Sequence, residues 1–226
     1  GLFMKKFLGF IILLFSLTVF VIPQSSEAAS NVATITIFSD GSGGSYGTHS
    51  WISVKNISKK NIYVGKIKVA PNKEVTVGTW GNKEQHKGVW YNLEAYFSNN
   101  GAKKAYNKRV SFSKKISASQ LEKANKKIKH SSNDTWSYTN NCSTFATEVW
   151  NAALPKEKLN PSSKLKRYVG IDTPEGLAKA IKKKKGYATK KAIQNVKDTE
   201  VTYYNTKKKK NTKANSTSLK GSGSSY

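Results

Sequence analysis

From Asn31 to Phe38 apolar and polar residues alternate. Ala33, Ile35 and Ile37 fall on one side, and Val32, Thr34 and Thr36 on the other, the period of two that predicts a strand. Tyr46 to Asn56 predicts a second strand. Shorter runs at Asn61 to Val64, Lys66 to Val69 and Glu74 to Val77 predict three more, with Pro71 and Asn72 as a turn. The aromatic-rich run from Gly88 to Phe97 reads as another strand, with Gly78 to Asn82 as an aromatic segment before it. After Arg109 the pattern shifts to that of helices. Leu121, Ala124 and Ile128 stand at helical spacing, with Ser119 as cap and Glu122 three residues on. From Ser143 onward, Phe145, Ala146, Val149, Trp150 and Ala153 form one apolar stripe that Pro155 ends, with Asn140 and Asn141 as capping residues before it. A short third helix covers residues 173 to 181, with Pro174 at its first position. Strands followed by helices predict an α+β fold.

The two ends of the chain read differently. Residues 1–28 have Lys5 and Lys6 before an apolar stretch from Phe7 to Ile22, then Ser26-Glu-Ala28 as a small-x-small cleavage site, the pattern of a secretory signal. The expected organisation is therefore a signal at 1–28, one domain over 29–181, and a basic tail over 182–226. In that tail hydrophobic periodicity gives way to Lys182 to Lys185, Lys207 to Lys210 and a Ser/Gly-rich end, so it is expected to be disordered. Ile193, Val196, Val201, Tyr203 and Tyr204 are the residues within it that could add a short element.

Charge bears on partners. The 39 Lys+Arg against 13 Asp+Glu leave a formal +26, mostly lysine. That excess implies an anionic partner, such as a cell-wall or membrane polymer. The scarcity of arginine, which reads phosphates and bases in bidentate fashion, argues against nucleic acid. A monomer is expected. A single cysteine and three histidines exclude an internal disulfide and match no zinc pattern, and no cofactor is expected.

That cysteine, Cys142, stands at a helix start, where unpaired backbone N–H groups and the positive end of the helix dipole favour a thiolate. It could equally serve as a small buried hydrophobe. A thiol nucleophile needs a base, and His49, His86 and His130 are available. His130 lies in a Lys/Ser/Asn-rich stretch and reads as a solvated surface residue. His86 sits at a predicted loop tip. His49 opens a strand flanked by Tyr46, Trp51, Ile52 and Val54, and a base on a rigid element holds its geometry best.

Asn-Cys-Ser-Thr-Phe-Ala at 141 to 146 resembles the cysteine-helix motif of the NlpC/P60 superfamily of papain-like cysteine enzymes, and Gly-Thr-His-Ser-Trp-Ile at 47 to 52 resembles its histidine strand. The histidine precedes the cysteine here, an order similar to the circularly permuted branch that includes lecithin:retinol acyltransferase-like proteins and related bacterial hydrolases. The resemblance implies a papain-like antiparallel sheet packed against a cysteine-bearing helix, with Cys142 as nucleophile and His49 as base. It also implies a third polar residue that orients the imidazole. Asn61, twelve residues after His49, is the first candidate, with Asn82 and Glu94 as alternatives. The function implied is that of a secreted or envelope-associated thiol hydrolase acting on an amide or ester bond, with cell-wall peptides as one substrate class. A lipid acyltransferase of the same fold and a non-catalytic cationic surface-binding protein are the competing readings.

Overall fold

A computed structural model describes residues 29–100, 105–221 and 223–225. The expected signal at 1–28 lies outside the described residues. The chain folds as α+β. Among the described residues ten strands form, in order, β1 (Asn31–Asp40), β2 (His49–Asn56), β3 (Ile62–Val64), β4 (Ile67–Val69), β5 (Glu74–Thr79), β6 (Val89–Tyr91), β7 (Val110–Ser117), β8 (Ala188–Thr189), β9 (Thr202–Asn205) and β10 (Lys210–Lys213). The helices are α1 (Leu93–Asn100), α2 (Ala118–Ser131), α3 (Cys142–Ala153) and α4 (Pro174–Lys182). Eight strands make one antiparallel sheet in the order β10-β9-β6-β5-β2-β1-β7-β8, and β3 and β4 form a separate ribbon.

The alternation seen in the sequence becomes two covered faces. Ile35 and Ile37 of β1 stand opposite Val54 and Ile52 of β2, and this face buries Val75, Val77, Phe145, Val149, Trp150, Leu177 and Ile181 in one core with α2, α3 and α4. Phe38 opposite Trp51 belongs to the other face, where Trp80, Trp90, Leu93, Phe97 and Tyr106 form a second core. The two rings of Phe38 and Trp51 stack at 4.9 Å.

Four expectations differ from what forms. The run from Gly88 to Phe97 is strand only as far as Tyr91; Asn92 takes φ 63 and α1 follows. Asn92 makes that turn specific, since its amide donates to the Thr76 carbonyl (2.9 Å) and its side-chain oxygen accepts from the Thr76 amide (3.3 Å). Both faces of α1 are largely buried, which removes the periodicity that would have marked it as a helix. Val110–Ser117 is not helical but is β7, paired along β1. The cap of α2 is Ser117, not Ser119: Ser117 and Gln120 form a capping box two residues upstream of the one expected from Ser119 and Glu122. Finally, residues 182–226, expected to lack order, carry β8, β9 and β10. Val201 and Tyr203 are buried against Trp90, so β9 joins the sheet beside β6. Hydrophobic residues too sparse to show a period were enough once a sheet edge offered them a partner.

Candidate active site

The site forms where two faces of the sheet meet at the end of β2. His49 is the first residue of β2 and shares a face with Trp51. Cys142 is the first residue of α3, which packs on the opposite face. Asn141 caps this helix, its side chain accepting from the amides of Ser143 (2.8 Å) and Thr144 (3.4 Å) and donating to the carbonyls of Tyr138 (3.0 Å) and Asp172 (2.8 Å). The Ser50 and Ser143 hydroxyls meet at 2.9 Å, fastening strand to helix one residue beyond each functional side chain. Ser39 extends this fastening, bonding to Ser50 (2.8 Å) and donating to the Pro174 carbonyl at the start of α4 (2.6 Å).

His49 Nε2 lies 2.9 Å from Glu94 Oε1. Glu94 also accepts from Trp80 Nε1 (3.0 Å) and Thr76 Oγ1 (2.9 Å), so three donors hold one buried carboxyl group. Trp80 covers the imidazole at 4.3 Å between ring centres. Gly78 leaves the room for this contact: a Cβ there would fall on Glu94 Oε1 and come within 3.1 Å of His49 Nε2. Cys142, His49 and Glu94 are all fully buried.

Nε2 is committed to Glu94, so Nδ1 is the ring atom left for the thiol. Nδ1 makes no hydrogen bond of regular geometry, and thiol and imidazole act on one another by proximity and charge. Burial opposes the imidazolium, but Cys142 and Glu94 outweigh it and raise His49 to about 9. Burial likewise opposes the thiolate, yet the neighbouring His49, the Ser225 hydroxyl and the Ser50 amide together bring Cys142 below the ordinary thiol range. Both shifts favour a thiolate–imidazolium pair.

The structure brings Cys142 and His49 together and leaves the other histidines apart. His130 is exposed in the last turn of α2. His86 is half-buried beside Tyr203, and burial lowers its pKa. The partner of the imidazole is Glu94 rather than Asn61, which is exposed just before β3. The β3–β4 ribbon leaves the main sheet, so the strand after β2 in sequence is not its neighbour; β5 is, and α1 on that side delivers Glu94. Asn82 is exposed and donates to the Ser224 carbonyl (2.8 Å). Thr76 and Gly78 escaped the sequence reading. A glycine inside the β-pattern Val75-Thr-Val-Gly-Thr79 was the available signal, because it marks a close approach.

One further group touches the thiol. Ser225 Oγ donates to Cys142 Sγ at 3.2 Å, and Ser225 is fully buried. Its carbonyl accepts from the Gly81 amide (2.7 Å), while the Gly223 carbonyl accepts from Tyr106 Oη (2.7 Å) and the Ser218 carbonyl from Lys83 Nζ (3.2 Å). Ser218, Gly223 and Ser225 thus lie over the site. Among the described residues no cluster of three or more His, Cys, Asp and Glu could hold a metal ion. Comparison with models of known families, with curated proteins and with solved structures gave no match.

Proposed function

We propose that this protein is a thiol hydrolase of papain-like fold, permuted in the manner its two motifs resemble, that cleaves an amide or ester bond. The observation that carries this reading is the buried line of Cys142, His49 and Glu94, with Nε2 held at 2.9 Å and both titrations displaced toward an ion pair. A buried cysteine used only for packing has no need of an imidazole beside it, nor that imidazole of a carboxyl group with two further donors.

In this reading the Cys142 thiolate attacks the substrate carbonyl carbon and a C–S bond forms. The carbonyl oxygen takes up the displaced electron pair and is held by backbone N–H groups. Asn141 occupies the Ser143 and Thr144 amides, so the Cys142 amide is the first-turn donor assigned to this task. As the tetrahedral adduct collapses, the imidazolium gives its proton to the leaving nitrogen or oxygen and the C–N or C–O bond breaks. Water then attacks the thioester while His49 takes its proton, releasing a carboxylic acid and restoring the thiolate–imidazolium pair. Glu94 keeps the ring in place and supports its positive state.

Export by the expected N-terminal signal and attraction of the lysines to anionic wall or membrane polymers complete the proposal, with cell-wall peptides as the substrate class. In the test, an activated ester is presented to the full chain and the peptide containing Cys142 is weighed. An acyl group on Cys142 is expected, with the acylation rate falling by about 10²–10⁴ in His49→Ala. Equal rates in the two proteins would overturn the reading. Transfer of a long acyl chain to an added alcohol or amine, in place of hydrolysis, would identify an acyltransferase.

A further inference from the structure

The segment over the site is held in a way that describes what the site accepts. Four of its contacts go to main-chain carbonyls: Ser218 from Lys83, Gly223 from Tyr106, Ser224 from Asn82 and Ser225 from the Gly81 amide. Such contacts read a peptide backbone and are indifferent to side-chain identity. Side-chain size is restricted instead. A Cβ at Gly223 would come within 2.7 Å of Ala105 Cβ and 2.9 Å of the Tyr106 ring, so that position admits only glycine. At Ser225 the side chain is fully buried against the thiol, which leaves room for a small residue and rewards a hydroxyl. The donors come from different parts of the fold: Gly81, Asn82 and Lys83 from the loop after β5, and Tyr106 from the stretch before β7. They converge on one path that ends at the nucleophile.

We propose that this path is the peptide-binding cleft, that its substrates are peptides of small residues with glycine two positions before a Ser- or Ala-sized residue at the thiol, and that Ser218, Gly223, Ser224 and Ser225 occupy it as an internal competitor. The inference deepens the hydrolase reading and rests on it for the word substrate; the occupancy itself does not. The Ser218, Gly223, Ser224 and Ser225 carbonyls satisfy the cleft's donors, and a substrate must replace these bonds one for one. Lys83 illustrates the exchange. Its ammonium lies over the rings of Trp80 (5.1 Å) and Phe97 (4.9 Å) and is pushed toward neutrality by burial, so the Ser218 carbonyl gives it a polar partner that any replacement must also give.

The test measures the rate at which iodoacetamide alkylates Cys142, which needs an accessible thiol and no turnover. In Gly223→Val the valine cannot fit beside Ala105 and Tyr106, and alkylation is expected to rise about tenfold or more over the unaltered chain. A chain ending at Lys220 is expected to do the same and serves if the valine protein does not fold. A synthetic peptide with the sequence of residues 221–225 should then slow alkylation of the opened protein, and the same peptide with valine in place of its second glycine should not. Unchanged alkylation in both variants, or no protection by the first peptide, overturns the proposal. Alkylation that behaves as expected in a protein that forms no acyl-Cys142 would leave the cleft standing and remove the hydrolase.

Discussion

At the residue scale the site depends on opposite shifts in two groups that titrate as a pair. His49, raised from 6.5 to about 9, lends stability that is complete below its unfolded value and is lost as pH rises through about 9. Cys142, lowered, lends stability that is lost as pH falls through its folded value. The ion pair therefore persists from that lowered thiol value up to about 9, and kcat/KM is expected to be bell-shaped with its alkaline limb near 9. Glu94→Gln keeps the size of the side chain and removes its charge. The imidazolium loses support, so the alkaline limb should move to lower pH and the rate at neutral pH should fall on the order of 10²-fold. A pH profile superimposable on that of the unaltered protein would show that Glu94 has no part in setting the pair. Glu94→Ala goes further and strands the donors of Thr76, Trp80 and His49 in a buried interior, at about 3–5 kcal/mol of stability.

At the scale of elements, the start of α3 places Cys142, and Asn141 holds that start. Asn141→Ala removes the acceptor for two first-turn amides and two donors to neighbouring carbonyls. About 1 kcal/mol of stability, in the range 0.5–2, is expected to go with the cap, measurable as a lower urea midpoint with unchanged slope. The stripe of α3, its Asn cap and its stop at Pro155 were legible because cap, period and breaker agree over that stretch. The strands β1, β2 and β5 were legible for a similar reason. By contrast, α1 is covered nearly all round and has no period to read, and in β7 the alternation of Val110, Phe112 and Ile116 is interrupted by Lys114. Of the site, Cys142 and His49 could be found from residue type and local pattern. Glu94 stood among the alternatives for the third residue, but its choice over Asn61 could not be read, because it follows from the sheet order, in which β5 and not β3 lies beside β2. Nor could Ser225, which is 83 residues from the cysteine and reaches it only through the folded tail.

For the whole molecule, the formal +26 sets how it meets other molecules. Retention on a polyphosphate matrix is expected to be strong at about 0.01 M salt and to fall steeply toward about 0.15 M, as the screening length drops from about 30 to about 8 Å. Retention independent of salt would mean that diffuse charge is not what binds. The same lysines have a second effect where the sheet ends. Among the described residues β10 is an edge strand, with Lys210 and Lys213 exposed on the strand and Lys207 to Lys209 exposed in the turn before it. An open edge is a template on which another copy could add its own strand, and crowded like charges make that approach repulsive. Whatever neutralises those ammonium groups, a dense polyanion or acetylation, also removes the guard against self-polymerisation.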